Sequence, residues 1–241
     1  MDALLAFAAA LLAFRLAGLL AGRYRASASR SPQASGNSGR ATAVPPTSLP
    51  ASRPEMLAWS AGLAAYAVAA AAIAWGEAAG WDGRAFRVYY AAGALLTAPL
   101  LGAGSILLAG RRRAAPVALV FVGLAVGVSL AMPVHGAFAA HGIPAAQDHL
   151  AFLPARLLAI LANILGTLAV VIVALRSFRQ RPLGNGLIVA GIAAAATGSG
   201  LAGLGAAGSA VGIAVGAALL YAGFIVPAHI SAPFRPKMAP R

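Results

Sequence analysis

Most of this chain is apolar and uncharged, so the side chains able to do chemistry are few, and two sets of them recur at helical spacing. Arg87, Tyr90, Thr97 and Ser105 fall within an arc of about 80° at 100° per residue. Arg156, Asn163 and Thr167 share an arc of about 40° by the same arithmetic. Each set begins with a guanidinium and continues with neutral hydrogen-bonding groups. Ionisable and amide side chains are costly in lipid and turn toward protein or water. Two such stripes facing each other predict an outward-opening polar pocket, with Arg87 and Arg156 at its mouth favouring an anionic head group. The same residues also admit a purely structural reading. Glu77, Asp82 and Asp148 fall at the same end and can neutralise Arg84, Arg87 and Arg156. Thr, Ser and Asn at these depths can join helices, at about 1 kcal/mol or less each.

The remaining candidates are sparser. His135, His141 and His149 crowd one loop beside Asp148. Zinc or copper needs ligands converging in tetrahedral or square geometry, and these spacings match no established motif, so a solvent-exposed loop is the plainer expectation and neither metal nor cofactor is expected. His229 falls at the other end. Arg15 lies within the first apolar run, about two turns from its end, where its stem can snorkel toward Arg23. A transport gate there would have no carboxylate in any span to pair with. All five acidic residues fall outside the spans, which leaves no buried acid–base pair, and no nucleophile stands beside a histidine. With no cysteine, thiolate and CxxC chemistry are excluded. A membrane-embedded lipid-modifying enzyme therefore ranks behind a non-enzymatic binder and behind a structural or assembly subunit of a membrane complex.

The elements that must position these groups follow from composition. Of 241 residues, 61% are hydrophobic and 10% charged, against about a quarter charged in soluble domains. A bilayer-spanning helix needs about 20 apolar residues, so seven would use about 140 positions. Apolar segments run over 3–22, 56–75, 86–109, 115–134, 155–175, 186–204 and 208–226. None alternates with period two, which excludes a β-barrel reading. Forty uncharged residues between Gly186 and Val226 would make one helix of about 60 Å, so the chain must turn back there. Gly198-Ser199-Gly200, with Gly203, Gly205 and Gly208, offers the turn, as either a full hairpin or a re-entrant loop.

Cations set the orientation, because Lys and Arg are retained on the cytoplasmic side. Arg23, Arg25, Arg30, Arg40, Arg53, Arg111, Arg112, Arg113, Arg176, Arg179, Arg181, Arg235, Lys237 and Arg241 lie on one side, fourteen of eighteen. The expected architecture is an all-α polytopic integral membrane protein, a seven-transmembrane-helix bundle with its N-terminus outside and its C-terminus cytoplasmic. Residues 1–25 form the first transmembrane helix, 26–54 a disordered cytoplasmic linker, 55–228 helices two to seven, and 229–241 a cytoplasmic tail. Ala26-Ser27-Ala28 resembles a cleavage motif, but the cations follow the apolar run instead of preceding it, which favours a retained anchor over a signal peptide. The net charge of +13 is spread over separate loops, fitting topology and anionic lipid better than nucleic acid. Oligomeric state is not legible.

Local features add detail. Gly208, Gly212 and Gly216 give a flat ridge for close helix packing, within the bundle or between copies. Pro99 should kink the third span or free a carbonyl, a defect that often lines a cavity. Trp59, Trp75 and Trp81 fall where indoles anchor helices at the interface.

Seven helices with the N-terminus outside invite comparison with microbial rhodopsins, but the only lysine, Lys237, lies in the tail, where it cannot hold retinal. No internal repeat of the secondary-transporter kind is evident. The stretch from Trp75 to Gly93, WGEAAGWDGRAFRVYYAAG, resembles the junction of the second and third spans in an uncharacterised family of bacterial seven-transmembrane-helix proteins. Asn163-Ile164-Leu165-Gly166-Thr167, Asn185-Gly186-Leu187-Ile188 and Tyr221-Ala222-Gly223-Phe224 carry the same resemblance. It implies the fold and a membrane location, and brings no activity. Seventeen arginines to one lysine, with abundant Ala and Gly, fit a high-GC bacterial source and hence a multi-pass protein of the plasma (inner) membrane. The functional expectation is a protein that binds or passes a small molecule or anionic lipid between its third and fifth helices, with membrane lipids as its surroundings.

Overall fold

A computed structural model describes residues 1–29, 53–139, 142–203 and 208–226, and among these all regular structure is helical. Among the described residues the long helices are α1 (Asp2–Ala28), α2 (Pro54–Ala79), α3 (Gly83–Leu108), α4 (Ala114–Ala131), α5 (Phe152–Arg176), α6 (Pro182–Gly203) and α7 (Ser209–Ile225). The first six are long and apolar enough to cross a membrane. α7 has 17 residues, about 25 Å at 1.5 Å per residue. The protein is therefore a helical bundle of the membrane-embedded type, in which each helix pairs its own backbone groups where lipid offers no partner.

Local chemistry sets the helix ends. Pro54 starts α2, where a missing N–H is harmless. Gly80 leaves α2 at φ 93°, and the Asp82 side chain then accepts from the backbone N–H of Arg84 (3.0 Å) and Ala85 (2.7 Å) to start α3. α1 runs to Ala28, so the first residues assigned to the linker are helical. The rest of that segment from 30 to 52, and the tail with His229 and Lys237, lie outside the described residues.

α1 turns an alanine-rich face inward: Ala6, Ala9, Ala13, Leu16 and Leu20 are buried beside Leu63, Tyr66, Ala70 and Ile73 of α2. Two side chains of α2 tie this layer together. Ser60 Oγ donates to the Ala17 carbonyl at 2.8 Å, and the Tyr66 hydroxyl donates to the Ile213 carbonyl of α7 at 2.6 Å. α4 is peripheral by comparison, leaving Val117, Leu119, Val120 and Leu130 at least two thirds exposed. In lipid that exposure carries no hydrophobic cost.

Glycine decides how closely the helices approach. The glycine ridge packs α7 against α6 within the bundle. A Cβ on Gly212 would lie 2.7 Å from the Gly198 Cα, and one on Gly216 would lie 2.8 Å from the Ala195 Cβ. Gly208 is not part of that ridge, because it sits at the start of α7 in the left-handed region (φ 85°). Gly198-Ser199-Gly200 likewise stays helical, with Gly198 packed on α7, and α6 runs on to Gly203. The result is a two-helix hairpin. A second contact of this kind, unforeseen from spacing, joins α3 to α5: a Cβ on Gly102 would lie 2.7 Å from the Gly166 Cα, and one on Gly166 would collide with the backbone of Ala98 and Pro99.

The tryptophans divide. Trp75 is exposed, as an interface anchor would be, but Trp81 is buried against Gly76 in the core. Trp59 packs on Gly104 and edge-on to Phe224, with ring centroids 5.2 Å apart.

Because the Gly166 contact is backbone against backbone, Gly166→Val should lower stability by about 1–3 kcal/mol, the usual range for overpacking. Gly123→Val, at an α4 glycine with open space beside it, should leave stability within about 0.5 kcal/mol of wild type. Unfolding of both variants in detergent checks the pair.

Candidate functional site

Asn163 joins the two polar stripes across α3 and α5, and Arg87, Thr97, Ser105 and Asn163 all donate to main-chain carbonyls. The first half of α3 changes register: from Tyr90 to Thr97 its backbone is a π-helix, with hydrogen bonds running from i to i+5. In that register the N–H at position 99 would serve the Ala94 carbonyl, and Pro99 has none. Asn163 supplies the missing donor from α5. Its Nδ2 donates in a short bond to the Ala94 carbonyl and, at 2.8 Å, to the Ala159 carbonyl of its own helix. The proline therefore does release a carbonyl, and an amide from the neighbouring helix closes the defect.

Two hydroxyls of the α3 stripe serve their own helix. Thr97 Oγ1 donates to the Ala92 carbonyl at 2.8 Å and Ser105 Oγ to the Leu101 carbonyl at 3.0 Å. The π-segment also rotates the residues after it by about one position relative to an ideal helix, so the arc computed for Arg87, Tyr90, Thr97 and Ser105 does not hold. Thr167 is half-buried, next to the Gly166 crossing.

Arg87 takes a role that neither sequence reading foresees. Its Nη1 donates to the carbonyls of Ser129 (2.7 Å), Leu130 (3.2 Å) and Met132 (2.8 Å), the last turn of α4. A cation there meets both the unpaired carbonyls and the negative end of the helix dipole. Arg181 repeats the device at the other end of the bundle, where Nη2 donates to the carbonyls of Gly223 (3.2 Å) and Val226 (2.5 Å) at the end of α7. The sequence had counted Arg181 only as a topology signal.

Two of the three carboxylates expected to neutralise Arg84, Arg87 and Arg156 are occupied with neutral donors. Asp82 caps α3, and Glu77 accepts from Trp81 Nε1 (3.2 Å) and from the backbone N–H of Gly142 (3.3 Å). Arg156 has a different environment. It is half-buried, with its guanidinium 5.6 Å from the centre of the Phe152 ring and within electrostatic range of Tyr90. Tyr90 is buried and stacks on Phe86 at 6.0 Å.

The histidines part company. His149 is buried and stacks on Phe138 at 4.2 Å, with Phe86 at 5.3 Å. Its Nδ1 lies 2.9 Å from the His135 carbonyl, which makes that nitrogen the donor. His149 is thus an aromatic core residue and not part of an exposed loop, whereas His135 is exposed and His141 lies outside the described residues. Among the described residues, no three metal-ligating side chains converge.

A cavity of about 420 Å³ opens at the end of the bundle that carries Arg87. It is lined by Gly123, Leu124, Gly127, Val128, Met132 and Pro133 along the α4 side and by Pro154 from the start of α5. Its walls are apolar. Nothing approaches within 4 Å of where a Cβ would stand on Gly123 or Gly127, in contrast to the packed glycines of α6 and α7. Arg156 follows Pro154 by two positions. No protein-family model, curated protein or solved structure matches the chain.

With one donor closing the Ala94 carbonyl, Asn163→Leu should destabilise the bundle by about 1–3 kcal/mol, the cost of a buried unsatisfied polar group. Arg87→Ala should cost up to about 2 kcal/mol and Arg87→Lys less, because the cation at the helix end is kept. Reversible unfolding in mixed micelles measures all three. Unchanged stability in Asn163→Leu contradicts the assignment.

Proposed function

We propose that this is a non-enzymatic, seven-helix integral membrane protein, its Arg87 end facing outward, that holds the acyl chain of an anionic lipid or a similar amphiphile in the groove between α4 and α5. The excess of cations at the opposite end supports the orientation, and the α6–α7 hairpin supports counting α7 as the seventh span. This agrees with the architecture implied by the resemblance to bacterial seven-span proteins and with residence in the plasma membrane. The observation that carries the functional reading is the apolar cavity beside Gly123 and Gly127, walled across by Pro154. Arg156, just beyond that wall, suits the phosphate of a lipid whose chain lies in the groove. Binding is thereby moved from a polar pocket between α3 and α5 to an apolar one beside α4. Arg156 and Tyr90 stay near the head group, while Arg87, Thr97 and Asn163 hold the backbone together.

A structural or assembly subunit is the second reading. It is favoured by the same open glycines, which would equally admit a helix from another protein.

The two readings separate by cross-linking. In nanodiscs containing phosphatidylglycerol with a photoactivatable acyl chain, wild-type protein should label within Gly123–Pro133. Gly127→Leu, which fills the groove, should reduce that labelling at least fivefold without unfolding the protein, and Arg156→Gln should reduce it selectively for the anionic lipid. Equal labelling in all three proteins would contradict the lipid site.

A further inference from the structure

Among the described residues, Arg15 is the cation that lies farthest from the ends of its helix. It is the central residue of α1, thirteen positions from each end of Asp2–Ala28, about 20 Å by helical rise. The side chain is exposed, and its guanidinium lies 5.8 Å from the centre of the Tyr221 ring of α7. A cation at such depth is stabilised by an anion, by polar groups or by water. The chain's own acids cannot provide the anion. Asp2 and Glu55 lie in first helical turns, Glu77 in the last turn of α2, Asp82 caps α3, and Asp148 sits in a four-residue helix between α4 and α5.

The surface around Arg15 has the character of a helix-packing face. Leu4, Phe7, Leu11 and Phe14 are all more than half exposed and are spaced by three, four and three residues, the interval of a helix-on-helix seam. One and two turns beyond Arg15, on the same side, stand Gly18 and Gly22, both exposed, with nothing within 4 Å of where a Cβ would be. Two glycines four apart let a second helix come close, and these two serve no contact inside the bundle. A parallel second copy would set Arg15 against Arg15, two uncompensated cations at one depth. A lipid phosphate would have to sink about 12 Å below Arg23, eight residues on, to reach the level of the Arg15 backbone.

From this we infer that α1 is a docking face for a transmembrane helix of a different polypeptide, one that carries an Asp or Glu at the depth of Arg15 and lies across Gly18 and Gly22. The carboxylate pairs with the guanidinium, Tyr221 backs the cation from the other side, and the large side chains of the seam add packing. This inference is independent of the lipid groove, which lies on α4.

The full-length protein in nanodiscs, labelled for energy transfer, can be titrated with polyleucine transmembrane peptides. The set carries a single Glu at the depth of Arg15, a Glu moved seven residues toward either end, or no Glu. The matched peptide is expected to bind at least tenfold tighter than the others, to lose that advantage with Arg15→Leu and to keep it with Arg15→Lys. Gly18→Leu should weaken it while leaving the thermal unfolding of the protein unchanged. Equal binding of all the peptides, or binding indifferent to Arg15, overturns the inference. So does the absence of peptide binding together with Arg15-dependent enrichment of phosphatidylglycerol around the protein, which would assign the cation to a lipid head group.

Discussion

A backbone carbonyl inside a bilayer has no water to turn to, and the Ala94 carbonyl is where this bundle meets that constraint most sharply. Pro99 removes the donor that the π-helical register would have used, and Asn163 restores it from the neighbouring helix. For the amide to reach, α5 must lie close against α3, and the glycine pair Gly102 and Gly166 makes that approach sterically feasible. Proline, amide and glycine pair therefore work as a unit. With the proline in place, losing either the amide or the close glycine contact leaves the Ala94 carbonyl unserved.

The same demand governs the helix ends. Arg87 closes α4 and Arg181 closes α7, each donating to carbonyls that no later residue of the helix can serve. Residues that look like ligand or ion-pair chemistry on an apolar background are here backbone chemistry. The few acids follow the pattern, with Asp82 at a helix start and Glu77 on an indole and a loop N–H. Among the described residues, the open glycines Gly123 and Gly127 of α4 and the exposed Arg15 of α1 stand apart from this backbone role.

Much of the fold was legible because lipid imposes a simple length rule. The segments read at 56–75, 86–109 and 155–175 became helices Pro54–Ala79, Gly83–Leu108 and Phe152–Arg176. The fold-back before Gly208 followed from helical rise alone. The site was harder to read, because spacing along one helix does not say which neighbour it will meet. The stripe through Tyr90 and Thr97 was computed for an ideal helix and was displaced by a π-segment that no residue type announces. Gly102 and Gly166 are ordinary small residues until their helices cross. Arg87 stands out by type and spacing as a ligand or ion-pair residue, but its three carbonyl partners lie more than forty residues away, on a helix end whose position depends on packing. His149 read as part of a polar loop because the stacking of Phe86 and Phe138 on it is a tertiary fact.

The division of labour between backbone-serving polar groups and an apolar, ligand-holding groove is the central claim, and a structure determined by electron cryomicroscopy in nanodiscs containing phosphatidylglycerol tests both halves at once. The account predicts Asn163 against the Ala94 carbonyl with no water-filled space between α3 and α5, together with elongated density lying along Gly123 and Gly127 beneath Pro154. A hydrated cavity running from Arg87 to Asn163, with the α4 groove closed by the protein's own side chains, would contradict it.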